Sequence, residues 1–181
     1  MFKNFKNSAK NLKKTRVLCT AAILAALFVV LYSIKLNLAP ELRITFTFIP
    51  LALAGWLLGP VPAMLVGLIG DVIGCIIFPA GPYFPGFTLT KIVSGLIYGV
   101  FLYRTGSRKH TLYVSGAVIF TNILANVVMN SLWLSMLYGK AWSVYAASHL
   151  VKNILASPIE IIILLILIKI FSTRGVKKMY K

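Results

Sequence analysis

Residues 70–87 read Gly-Asp-Val-Ile-Gly-Cys-Ile-Ile-Phe-Pro-Ala-Gly-Pro-Tyr-Phe-Pro-Gly-Phe. An apolar run from Val61 leads into them, another follows from Gly86, and a loop of proline, glycine and aromatic residues lies between. That order is the pattern of two membrane helices joined at one bilayer surface. Asp71 stands inside the first run. A carboxylate in hydrocarbon is costly enough to be read as functional, and a stiff aromatic loop is a surface that closes over a flat ligand.

The rest of the chain agrees with a membrane setting. It has 181 residues, 59% of them hydrophobic and 12% charged. Its mean hydropathy is +0.89. A soluble domain carries about 25% charged residues. The net charge of +16 raises a nucleic-acid binder as an alternative, and the placement of the bases excludes it. Lys3, Lys6, Lys10, Lys13, Lys14 and Arg16 precede the first span. Arg104, Arg108 and Lys109 sit between two later ones, and Lys169, Arg174, Lys177, Lys178 and Lys181 close the chain. Bases on alternate connections mark the cytoplasmic side, against anionic lipid headgroups.

Division at Gly, Pro and charge punctuation gives spans over Lys14 to Ile34, Phe46 to Leu58, Val61 to Phe78, Gly86 to Tyr103, Leu112 to Tyr138 and Val144 to Phe171. The expected fold is an all-α integral membrane protein of six transmembrane helices with both termini cytoplasmic. It forms a single membrane domain: a basic segment 1–13, a helical body 14–172 and a basic tail 173–181. The second span is short, which predicts a tilted, broken or re-entrant segment. The expected outer connections are Lys35 to Thr45, Pro79 to Pro85 and Gly139 to Ser143. Val17 to Leu31 is read as a membrane helix, not a signal peptide, because no small-x-small cleavage site follows before Tyr32 and Lys35. Cys19 and Cys75 lack metal-type spacing and read as core residues.

At a rise of 1.5 Å per residue from the outer helix ends, Asp71, Lys91, Asn130, Trp133, His149 and Lys152 all fall roughly 8–12 Å deep. Asn122, Asn126, Asn130 and Trp133 share one helical face, as do His149, Lys152, Asn153, Ala156 and Glu160. Helix-to-helix glue and an Asp71–lysine pair would explain each group singly. Together, Asp71 against Lys91 and Lys152, with Arg43 in the loop above, leaves an excess of positive charge that asks for an anion. Tyr83, Phe84 and Phe87 lie at the outer mouth, the two phenylalanines as lid residues. Glu160, counted at about 24 Å depth beside Pro158, is read as structural or as a subunit contact and not as a ligand contact. Ala21 with Ala25, and Ala22 with Ala26, form small-xxx-small pairs that let another helix approach, within the chain or from another subunit.

The pattern resembles the substrate-binding S-components of energy-coupling factor (ECF) vitamin transporters, and among them the folate-specific members. The resemblance rests on Thr15-Arg16-Val17-Leu18 before the alanine-rich helix, Ile49-Pro50 with Gly55 and Gly59-Pro60, Gly70-Asp71, and Gly81 to Thr88. It continues through Gly95 with Tyr98-Gly99, Trp133 with Tyr138-Gly139, and Lys152-Asn153 before Pro158-x-Glu160. It implies a six-helix protein that binds a vitamin near the outer surface. It also implies association with a transmembrane coupling subunit (EcfT) and two cytoplasmic ATPases (EcfA and its paralogue). Ala21, Ala22, Ala25 and Ala26 would face the coupling subunit, and Lys35 to Thr45 with Pro79 to Phe87 would gate the site. Where relatives would be expected to carry a base such as arginine, this chain has His149.

For folate the implied contacts are Asp71 to the pterin N–H edge, Phe84, Phe87 and Trp133 to the rings, and Lys91, Lys152 and Arg43 to the glutamate. Tyr83, Asn126, Asn130 and His149 complete the expected set. Thiamine would want more carboxylates and riboflavin fewer bases; these are the alternative vitamins. No cofactor or metal is expected.

An enzyme reading is the other alternative, in which Ser94 and His149 would form the dyad of a rhomboid-like protease. Ile92 and Val93 break the Gly-x-Ser-Gly pattern and argue against it. No Gly-x-x-x-x-Gly-Lys loop is present, so ATP hydrolysis by that route belongs to partners.

Overall fold

The computed structural model describes residues 2–39, 42–79, 81–103 and 110–173, without the side chains of residues 2–4, 6–7, 35–39, 42–44, 110 and 173. The loop bases Arg104, Arg108 and Lys109, the tail bases from Arg174 onward and the Arg43 side chain lie outside what is described. A helix α1 (Phe2–Asn11) precedes α2 (Thr15–Ser33). Then come strands β1 (Lys35–Ala39) and β2 (Leu42–Thr45), and helices α3 (Phe48–Leu57), α4 (Pro60–Ile77) and α5 (Pro85–Leu102). Next, α6 (His110–Thr121) runs through a π-helical segment (Asn122–Asn130) into α7 (Ser131–Tyr138), and α8 (Trp142–Thr173) follows.

Among the described residues, five stretches are long and apolar enough to cross a bilayer: Thr15–Ser33, Pro60–Ile77, Pro85–Leu102, Thr111–Tyr138 and Trp142–Ser172. Their outward faces carry large apolar side chains, among them Ile23, Ile76, Leu112, Ile154 and Leu155, as contact with lipid tails requires. The sixth expected span is α3. At 10 residues it is roughly 15 Å long, half of a 30 Å hydrocarbon core. Helices α2, α4 and α5 surround it, and Leu51, Ala52, Ala54 and Trp56 are buried, which explains why α3 is apolar on every side. It ends at Gly59, whose φ of 100° precedes Pro60 at the start of α4. Ser8 of α1 is fastened there, donating to the Leu58 carbonyl at 3.2 Å and accepting from the Val61 N–H at 3.3 Å.

The connection expected over Lys35 to Thr45 is an antiparallel hairpin, with Lys35 opposite Thr45 and Leu36 opposite Ile44. Its sequence alternates Lys-Leu-Asn-Leu and Leu-Arg-Ile-Thr, a period-two pattern.

The closest helix pairing is α4 against α5, and glycine makes it possible. A Cβ on Gly67 would stand 2.6 Å from the Lys91 carbonyl oxygen, and one on Gly95 2.5 Å from that of Ala63. Since backbone cannot yield as a side-chain tip does, Gly95→Ala is expected to destabilise the protein by about 1–2 kcal/mol. A melting curve in detergent checks this, and an unchanged midpoint would contradict it.

Helix α2 settles which alanines are available. Ala21, Ala25 and Phe28 are buried in the core, with the Phe28 ring in the notch at Gly70 and that of Tyr32 in the notch at Gly74. Ala22 and Ala26 are exposed. The four alanines therefore do not act as one docking surface: Ala21 and Ala25 pack within the chain.

Candidate functional site

A cavity of about 240 Å³ opens between α3, α4, α5, the π-helical segment, α7 and α8. Its wall holds Asp71, Tyr83, Phe84, Phe87, Lys91, Asn126, Asn130, His149 and Lys152 from the expected set. Four helical elements and the loop before α5 thus bring these sequence-predicted residues to one place.

Asp71 is 2% exposed. Its Oδ2 accepts from the Thr88 hydroxyl at 2.7 Å. Thr88 has one proton, and it goes to Asp71, so the Tyr83 hydroxyl 3.0 Å away donates to Thr88. A string of hydroxyls thereby ties a residue at the mouth to the buried carboxylate. Above it, the Phe84 and Phe87 rings meet edge to face, 6.1 Å between centroids.

Trp133 does not line the cavity as expected. Its Nε1 donates to Thr90 at 3.0 Å and its ring lies 5.7 Å from that of Phe84, so it supports Phe84 from behind. The π-helical segment is the reason. Each residue of an i→i+5 helix turns the chain through a smaller angle than in an α-helix, so nine such residues carry Trp133 off the asparagine stripe.

Glu160 requires the opposite correction. It lines the cavity, and its Oε2 accepts from Asn122 Nδ2 at 2.9 Å. The wall therefore holds two lysines, two carboxylates and a histidine, and its described charge does not by itself select an anion. Thr121 and Tyr98 also belong to this deep end and were missed, and Asn122, placed on the polar face but not among the expected contacts, lines it too. The shared face of Lys152, Ala156 and Glu160 carried the signal; counting depth only from the outer surface hid it.

His149 is 5% exposed, and neither ring nitrogen has a hydrogen-bond partner among the described residues. A buried polar group left unpaired costs about 1–3 kcal/mol. It stands on the cavity wall, beside Lys152 of the same helix. The Ser94 hydroxyl donates to the Thr90 carbonyl of its own helix at 2.7 Å, so Ser94 and His149 are not hydrogen-bonded to each other as a protease dyad would be.

The family model for the substrate-specific component of ECF transporters matches residues 16–168. The folate transporter FolT of Clostridium novyi is 40% identical over 154 residues, covering 84% of this chain and 88% of the relative. That of Leuconostoc mesenteroides is 34% identical over 152 residues, covering 81% of each. A crystal structure of FolT bound with folic acid superposes with a TM-score of 0.76 at 33% identity, covering 84% of this chain and 92% of that one. The chain is an integral protein of the bacterial cell membrane and belongs to the substrate-specific components of ECF transporters.

Proposed function

We propose that this chain captures folate at the outer face of the membrane and delivers it inward through a transmembrane coupling subunit, EcfT, driven by two separate cytoplasmic ATPases. The observation that carries the reading is the cavity itself. Acceptor, aromatic and basic groups line one cavity, in a chain whose similar proteins include FolT bound with folic acid. Folate has matching parts: a pterin edge of adjacent N–H donors, a flat ring system and an anionic glutamate. Asp71 takes the pterin edge, Phe84 and Phe87 cover the rings, and Lys91, Lys152 and His149 meet the glutamate, with Arg43 on the hairpin above.

The topology follows from the charges. Helix α3 serves as a short sixth span, and the basic segments at both ends of the chain lie in the cytoplasm. The exposed Ala22 and Ala26 give the coupling subunit its close approach, with the hairpin and the 79–87 loop as the gate. Isothermal titration of the purified chain with folate, thiamine and riboflavin tests the reading. Saturable binding of folate alone is expected. A preference for thiamine or riboflavin would keep the family and replace the substrate.

A further inference from the structure

The asparagines of the π-helical segment are joined side chain to side chain, and in one direction. Asn130 Nδ2 donates to Asn126 Oδ1 at 3.2 Å, Asn126 Nδ2 to Asn122 Oδ1 at 2.7 Å, and Asn122 Nδ2 to Glu160 and to Ser157 at 2.9 Å each. A carboxamide flipped by 180° exchanges donor and acceptor, so a ladder of asparagines has no intrinsic direction. One end must fix it. Glu160 in its ionised form only accepts. The Ser157 hydroxyl proton is given to the Asn153 carbonyl at 2.6 Å, so towards Asn122 that oxygen also only accepts.

Both partners thus require the Asn122 amino group to point inward. Its oxygen then faces outward, where only the amino group of Asn126 fits, and the same step repeats to Asn130. Asn130, which lines the cavity, ends the ladder with its amino group given to Asn126 and its carbonyl oxygen left as the outer acceptor. A charged end strengthens the first bond, and each bond polarises the next.

We propose that Glu160 is a positioning residue for ligand recognition. Acting through Asn122 and Asn126, it holds Asn130 with its oxygen towards the ligand, so the site selects a ring bearing an N–H donor at that height. This rests on the folate reading for its probe.

The test is a double-mutant cycle on folate affinity by titration calorimetry, with the full chain in detergent. Glu160→Gln can donate as well as accept and so releases the direction of the ladder. Glu160→Gln and Asn130→Ala are each expected to weaken folate about tenfold, and their combination no more than either alone. In an Asn126→Leu background Glu160→Gln is expected to lose its effect. Multiplication to about 100-fold, or a full Glu160→Gln effect without Asn126, would overturn the proposal. Should Glu160→Gln fail to fold, the Asn126→Leu and Asn130→Ala pair decides by the same criterion. If the wild type binds no folate, the folate reading fails separately. The same cycle on melting temperature then decides the ladder, with coupling in its favour and additivity against it.

Discussion

Asp71→Ala is expected to weaken folate binding by about 100- to 1,000-fold, the largest single effect in the cavity. The carboxylate is buried, and Thr88 holds one of its oxygens in place. Its other lone pairs are acceptor-only, the complement of two adjacent N–H groups on a pterin edge. Two charge-assisted hydrogen bonds contribute about 3–4 kcal/mol when both form in a dry site. Asp71→Asn keeps the volume but substitutes a donor for one acceptor, so it should lose most of the same affinity. Calorimetric Kd values, with melting curves to show that each variant is folded, check both. An unchanged Kd for Asp71→Ala would remove this residue from the pterin contact and leave the acceptor role to the deep end of the cavity.

The elements around Asp71 were the most legible part of the chain. Gly59-Pro60 and Pro85-Gly86 punctuate the sequence so sharply that α4 and α5 begin within a residue of expectation. The hairpin was hidden because a short alternating stretch between two long apolar runs reads as a connection. The π-helical segment was hidden for a different reason. Asparagines at i, i+4 and i+8 share a face under either winding, and only the direction of Trp133, turned back onto Thr90, separates the two.

Which alanines of α2 face inward was likewise undecided by α2 alone, since both pairs have the same spacing. The answer lies in α4. Its Gly70 and Gly74 form notches that only Phe28 and Tyr32 fill, which puts Ala21 and Ala25 on the same inward side. Glu160 shows the remaining gap. Depth counting finds residues level with one another, but a cavity that runs inward along α8 is a property of packing. It appears only once the π-helical segment lies against α8.

His149 carries the second large effect, and it should split stability from binding. Its two ring nitrogens are buried and unpartnered among the described residues, and an unpaired buried polar group is a net cost of about 1–3 kcal/mol. His149→Phe removes that cost with a ring of similar shape, so it is expected to raise the melting temperature by about 2–4 °C. The same change removes a donor that an anionic ligand would satisfy beside Lys152, one helical turn away, and is expected to weaken folate about tenfold or more. The opposite signs are the point of the measurement. A residue that merely holds helices together would lose stability and affinity in parallel, whereas a side chain kept unpaired for a ligand loses one and gains the other. Melting curves with and without folate resolve the two: the variant should melt above the wild type alone and gain less from added ligand. A lower melting temperature in the absence of ligand would instead make His149 a packing residue, and would return the glutamate end to Lys91 and Lys152.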